Sequence, residues 1–339
     1  MTKIFDFAGL PLVVQRQICS LLSILDLIKF ALVSPKFHEI AKKCGSVETL
    51  HWVISNEEWS ITLSEHGKGF LEIGGEIHVG CCHDDCDEDE YTGVIGGVEV
   101  SVVEALCDTN PTLQFNEGEK RLGEPVTKFL FDLFNIKTFI LNLDIDDACK
   151  DHYIFKYTQT FESANFSHYE YSWDDMSFLL NSIKCGDLDI QETHTTRTYV
   201  ASEPLKTPHL DIPGIRFADI DVFLNSTFQT IDLQNTCLND RDLITIVRYW
   251  KAGGLENMKM LKMSTVGGIP DLAAILNGVY HERYRRSTRP KSDQRMERMK
   301  QHLRRGYNVW TNDGKRCATL AVHHDRLVQK FFMIVWELV

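Results

Sequence analysis

Five side chains able to ligate a metal crowd into nine residues: His78, Cys81, Cys82, His83 and Cys86. A structural zinc site takes a tetrahedral set, usually a Cys-x2–4-Cys pair and a second pair further along the chain. Here no second pair follows, and the adjacent Cys81 and Cys82 chelate a single ion poorly. The run that comes next, "DDCDEDE" from Asp84 to Glu90, has six acids in seven residues and suits harder cations. The expectation is an acidic, solvated loop with no metal. His323-His324-Asp325 is a weaker set, because two neighbours in what reads as a hairpin loop point in different directions. Gly-x-Ser-x-Gly, a phosphate-binding Walker loop and Gly-x-Gly-x-x-Gly are all missing from the sequence. No catalytic residue and no cofactor are therefore expected.

The most conspicuous charge lies in "HERYRRSTRPKSDQRMERMKQHLRR", His281 to Arg305, with ten Lys/Arg against three Asp/Glu. Arg283, Arg285, Arg286 and the arginines that follow offer forked donors to carboxylate or phosphate. Three readings stand: a solvated loop, a contact for an acidic or phosphorylated protein, and a nucleic-acid contact. The chain as a whole carries a net charge of −12, whereas a non-specific nucleic-acid binder is more often basic across its binding domain.

Elements able to position such groups have ample chain to draw on. With 339 residues, 43% hydrophobic and 25% charged, the composition is that of a globular protein with a sizeable core. No run reaches the ~18–20 apolar residues of a membrane span. The start, "MTKIFDFAGLPLVV", lacks a signal-peptide layout, and the ten scattered cysteines read as reduced thiols. An intracellular protein, cytoplasmic or nuclear, is expected.

One stretch has more apolar surface than it can hide. Between Leu21 and Val33 ten of thirteen residues are apolar. Leu10-Pro11 opens a helical pattern, since proline is favoured in a first turn. Val14, Ile18, Leu21, Leu22 and Leu25 follow at spacings of three and four. Asp26 reads as the cap of a second helix, Leu27 to Val33, and Ser34-Pro35 as cap and first residue of a third, which ends at Gly45. Three helices in so short a unit cannot bury all their own apolar groups, so either the rest of the chain or a partner covers them.

These residues resemble an F-box. Leu10-Pro11, Val14, Ile18, Leu22, Asp26-Leu27, Val33 and Phe37 fall on that family's pattern without a gap. Val13 stands where an acid is usual and Phe37 where Trp is commonest. The resemblance implies docking onto the Skp-type adaptor of a cullin-RING ubiquitin ligase through Leu10, Pro11, Val14, Ile18, Leu21, Leu22, Leu25, Leu27, Val33 and Phe37.

Beyond residue 46 the chain reads differently. "LHWVIS", "WSITLS", "FLEIGG", "EIHVG" and "VEVSVV" are short β-branched or aromatic runs between turn residues, hence strands. A weak internal repeat then joins an apolar helix to a strand at 129–144, 176–191 and 219–234, with a fourth strand at 261–264. Such units stack into an α/β solenoid, as leucine-rich repeats do. Alternation sends Leu141, Leu143, Leu188, Ile190, Ile231, Leu233, Leu261 and Met263 inward. Asn142, Asp144, Asp189, Gln191, Asp232, Gln234 and Lys262 then face outward, either as a solvated surface or as the binding face of a solenoid. Asp313-Gly314 marks a turn before two terminal strands ending near Trp336.

This layout resembles the F-box-associated domain of the nematode F-box families. The expected fold is α+β or α/β: a three-helix F-box at 5–45, then an associated domain at 46–339. That domain divides into a β region (47–115), irregular leucine-rich-like units (125–280), the basic segment (281–305) and a terminal β-hairpin (308–339). The two resemblances imply a non-catalytic substrate receptor that tethers an unknown protein for ubiquitin-dependent degradation. Its substrate contacts would be the outward polar row with Arg283, Arg285 and Arg286. An F-box-tethered scaffold or nucleic-acid-binding module is the alternative.

Overall fold

A computed structural model describes residues 7–55, 59–64, 70–75, 89–95, 98–107, 110–115, 123–145, 149–168, 170–192, 199–265, 271–284, 303, 305–324 and 329–337. The metal-capable set from His78 to Cys86 and the arginines Arg285 and Arg286 lie outside the described residues. The chain forms two compact units, Met1–Phe166 and Ser167–Val339. Helices at the N-terminus are followed by extensive mixed β-sheet, an α/β mixture.

The first unit opens with α1 (Leu12–Cys19), α2 (Ile24–Val33) and α3 (Pro35–Lys42). Their boundaries follow from capping chemistry. The Ser23 side chain accepts from the Asp26 backbone N–H at 3.1 Å and bonds the Asp26 carboxylate at 2.7 Å. Ser23 is thus the cap of α2, and Asp26, expected to be that cap, is its partner one turn in. Ser34 caps α3 through the Phe37 N–H, with Pro35 at the first helical position, as the sequence pattern indicated. Gly45 is needed for closeness rather than for a left-handed turn: a Cβ there would lie 2.8 Å from the Phe134 ring.

Strands β1 (Ser46–Ser55), β2 (Trp59–Ser64), β3 (Phe70–Gly75), β4 (Asp89–Ile95), β5 (Val98–Cys107) and β6 (Asn110–Phe115) precede α4 (Gly123–Leu133), β7 (Asn135–Asp144) and β8 (Thr160–His168). Their order in the sheet is β8-β7-β1-β2-β3-β6-β5-β4. β1 pairs parallel with β7 and antiparallel with β2. Trp52 of β1 is fully buried, stacked near-parallel on Phe131 at 5.7 Å and Phe139 at 5.6 Å, and its indole N–H donates to Thr127. A buried Trp needs such an acceptor, and Thr127 of α4 provides it.

The second unit carries the helix–strand alternation that the repeat indicated. It comprises α5 (Trp173–Asn181), β9 (Lys184–Glu192), β10 (Tyr199–Ala201), β11 (His209–Pro213), β12 (Ile215–Phe217), α6 (Ile220–Leu224), β13 (Thr230–Thr236), α7 (Asp240–Lys251), β14 (Met260–Thr265) and α8 (Leu272–Leu276). β9, β11, β13 and β14 lie parallel and in register, so Leu188, Leu210, Ile231 and Leu261 stack as one inward row. All four are essentially inaccessible, each worth roughly 1.5–3 kcal/mol relative to exposure. Among the described residues, β11 enters this ladder without a helix of its own before it. β15 (His281–Arg283), β16 (Tyr307–Trp310), β17 (Arg316–His324) and β18 (Gln329–Glu337) finish the unit as an antiparallel meander, with β18 against β14. Asp313-Gly314 turns β16 into β17, with Gly314 at φ +70°, and β17 and β18 form the terminal hairpin. His323 and His324, expected in a loop, belong to β17. Leucine-rich solenoid geometry is not shown by this mixed ladder.

Candidate functional site

The first candidate surface is built on the N-terminal helices. Ile24, Leu25, Leu27, Ile28, Ala31, Ile40 and Ala41 are buried within the chain itself. Phe7, Phe30 and Phe37 form an aromatic trio, with ring centroids 5.2 Å (Phe7–Phe30) and 4.6 Å (Phe30–Phe37) apart. Gln15, buried, ties the segment before α1 to it by donating to the carbonyls of Phe7 and Leu10. Burial first, and then the neighbouring Cys44, raise the Cys19 thiol to about 11, which leaves it protonated and inert.

What these helices leave uncovered is apolar. Leu21 in the α1–α2 turn is 84% exposed, Val33 at the end of α2 69%, and Val13 on the first turn of α1 66%; Leu12 and Val14 are exposed as well. Of the ten expected docking residues, Pro11, Val14, Leu21 and Val33 are therefore open to solvent, and Leu10, Ile18, Leu22 and Phe37 are half-buried. Leu25 and Leu27, at 5% and 7%, are committed to the chain's own interior. Leu12 was not singled out in the sequence and Val13 only as a departure from the family pattern, although both follow Pro11 and are as apolar as their neighbours.

The second candidate surface is the outward face of the parallel ladder. Register aligns Asp189 with Asp211, Asp211 with Asp232, and Asp232 with Lys262 across four adjacent strands. Asp211 was not anticipated, because the sequence before β11 does not show the apolar helical segment that marks the other strands. Its signal was present in "HLDIP", which repeats the apolar-Asp-apolar pattern of "DLDIQ" and "TIDLQ". Lys262 bonds Asp232, Gln191 donates to Asp189 at 2.9 Å, and Gln234 donates to Asp211 at 3.1 Å. Burial, together with the Asp232 and Asp189 charges, pushes the Asp211 carboxyl up to about 6. Burial raises Asp232 also, and the bond from Lys262 opposes it. Gln191 and Gln234 are exposed, while Asp189, Asp232 and Lys262 are half-buried.

Asn142 and Asp144 belong to β7 in the first unit. Asn142 is half-buried, with its amide nitrogen 3.1 Å from His51 Nε2, and burial lowers the His51 pKa. Asp144 is exposed beside Ser55. Arg283 is exposed on β15. Among the described residues no three His, Cys, Asp or Glu side chains gather in a way that could hold a metal ion. Among the same residues, no helix is long and apolar enough to cross a membrane.

Comparison with known families covers the helices that carry the first of these surfaces. Residues 7–48 match the F-box domain, a span that takes in α1, α2, α3 and the start of β1. No curated protein and no solved structure matches the chain.

Proposed function

We propose that this chain is a substrate-recognition subunit of a Skp-cullin-F-box type ubiquitin ligase. The observation that carries the reading is the F-box at residues 7–48, whose helices leave Leu21, Val33 and Val13 open to solvent. F-box domains bind Skp-type adaptors, and proteins that carry them are generally non-catalytic receptors. Groups of this kind gain free energy only when a partner removes them from water.

In this reading the remainder of the chain, an F-box-associated domain with irregular leucine-rich-like units, presents the substrate. Support comes from the in-register helix–strand ladder and its outward row of Asp189, Asp232 and Lys262, with Gln191 and Gln234 beside it; Arg283 stands apart from this row, on the edge strand β15. The mechanism is proximity: a lysine of the tethered substrate is held near a charged carrier enzyme, which raises its effective concentration. The chain itself forms and breaks no covalent bond.

The test is co-purification of the full chain with a Skp-type adaptor and cullin, followed by ubiquitin transfer to proteins captured with the complex. Capture of adaptor and cullin is the expected result. Failure of the full chain to hold the adaptor would remove the basis for a ligase role.

A further inference from the structure

We draw no further inference here: the strongest candidate, the open cavity of about 950 Å³ where α8 and the turn after it meet β15 and β16, lined by Leu272, Ala274, Leu276, Tyr280, His281 and Tyr307, carries no proposal because nothing in the structure shows what covers it.

Discussion

Asp211→Asn should stabilise the protein at neutral pH, and the gain should vanish in acid. Asp211 stands between Asp189 and Asp232 on the outward face of the ladder, half-buried, with Gln234 donating to it. Its carboxyl is raised from 3.8 to about 6, chiefly by burial and then by its two acidic neighbours. The folded state therefore binds a proton that the unfolded chain has already released between about pH 4 and 6, and stability falls as pH rises through that window. Above it the whole penalty remains. Raising a carboxyl this far is worth about 3 kcal/mol at full weight. Solvent at the half-exposed face reduces this to roughly 1–2 kcal/mol. Asparagine removes the charge and keeps an oxygen for Gln234 to donate to. Paired thermal melts of the two proteins from pH 4 to 8 should show the variant ahead by about 2–8 °C at pH 7 and level at pH 4. A difference independent of pH, or a variant less stable at pH 7, would refute the claim that the row strains its own central carboxylate.

Substitutions at three further positions test the framework. Arg316 donates to the carbonyls of Gly253, Gly254, Leu255 and Glu256 just past α7 and lies 5.5 Å from the Trp250 ring centroid. Arg316→Met should cost roughly 1–3 kcal/mol in chemical denaturation, and Arg316→Lys should recover only part, lacking the planar fork. Gly45→Ala forces a Cβ to within 2.8 Å of Phe134 and 3.1 Å of the Leu133 carbonyl, so a loss of roughly 1–3 kcal/mol is expected on thermal melting. Thr319, fully buried, accepts from the Trp336 indole at 2.7 Å and donates to Asn308 at 2.8 Å. Thr319→Val keeps the shape, strands both partners, and should lower the denaturation midpoint by an amount equivalent to roughly 1–3 kcal/mol.

Local chemistry was readable wherever one side chain decides the outcome. Ser34-Pro35 announced α3, and alternation sorted Leu188, Ile190, Ile231 and Leu233 to the interior as the burial pattern has them. The start of α2 was placed three residues late because Ser and Asp are nearly equal as caps, and only the reciprocal bond of Ser23 with Asp26 separates them. β11 escaped because a strand without a helix before it breaks the helix–strand period by which the others were found. Asp211, the most strained carboxyl of the outward face, went unseen with it. Exposure was unreadable for a related reason. Leu21 and Leu25 look equivalent in sequence, yet one is open and the other interior, a distinction made by how α2 and α3 pack.

The central claim is that the open apolar groups of the N-terminal helices are covered by an adaptor. Its most direct test is the affinity of the purified full chain for a Skp-type adaptor, measured beside Leu21→Asp and Val33→Asp. Both residues are exposed, so the melting midpoint should not move. Losing one such apolar anchor is worth roughly 1.5–3 kcal/mol, so affinity should fall at least tenfold for each variant. Wild-type affinity in both variants, or no binding by the unaltered chain, would contradict the account.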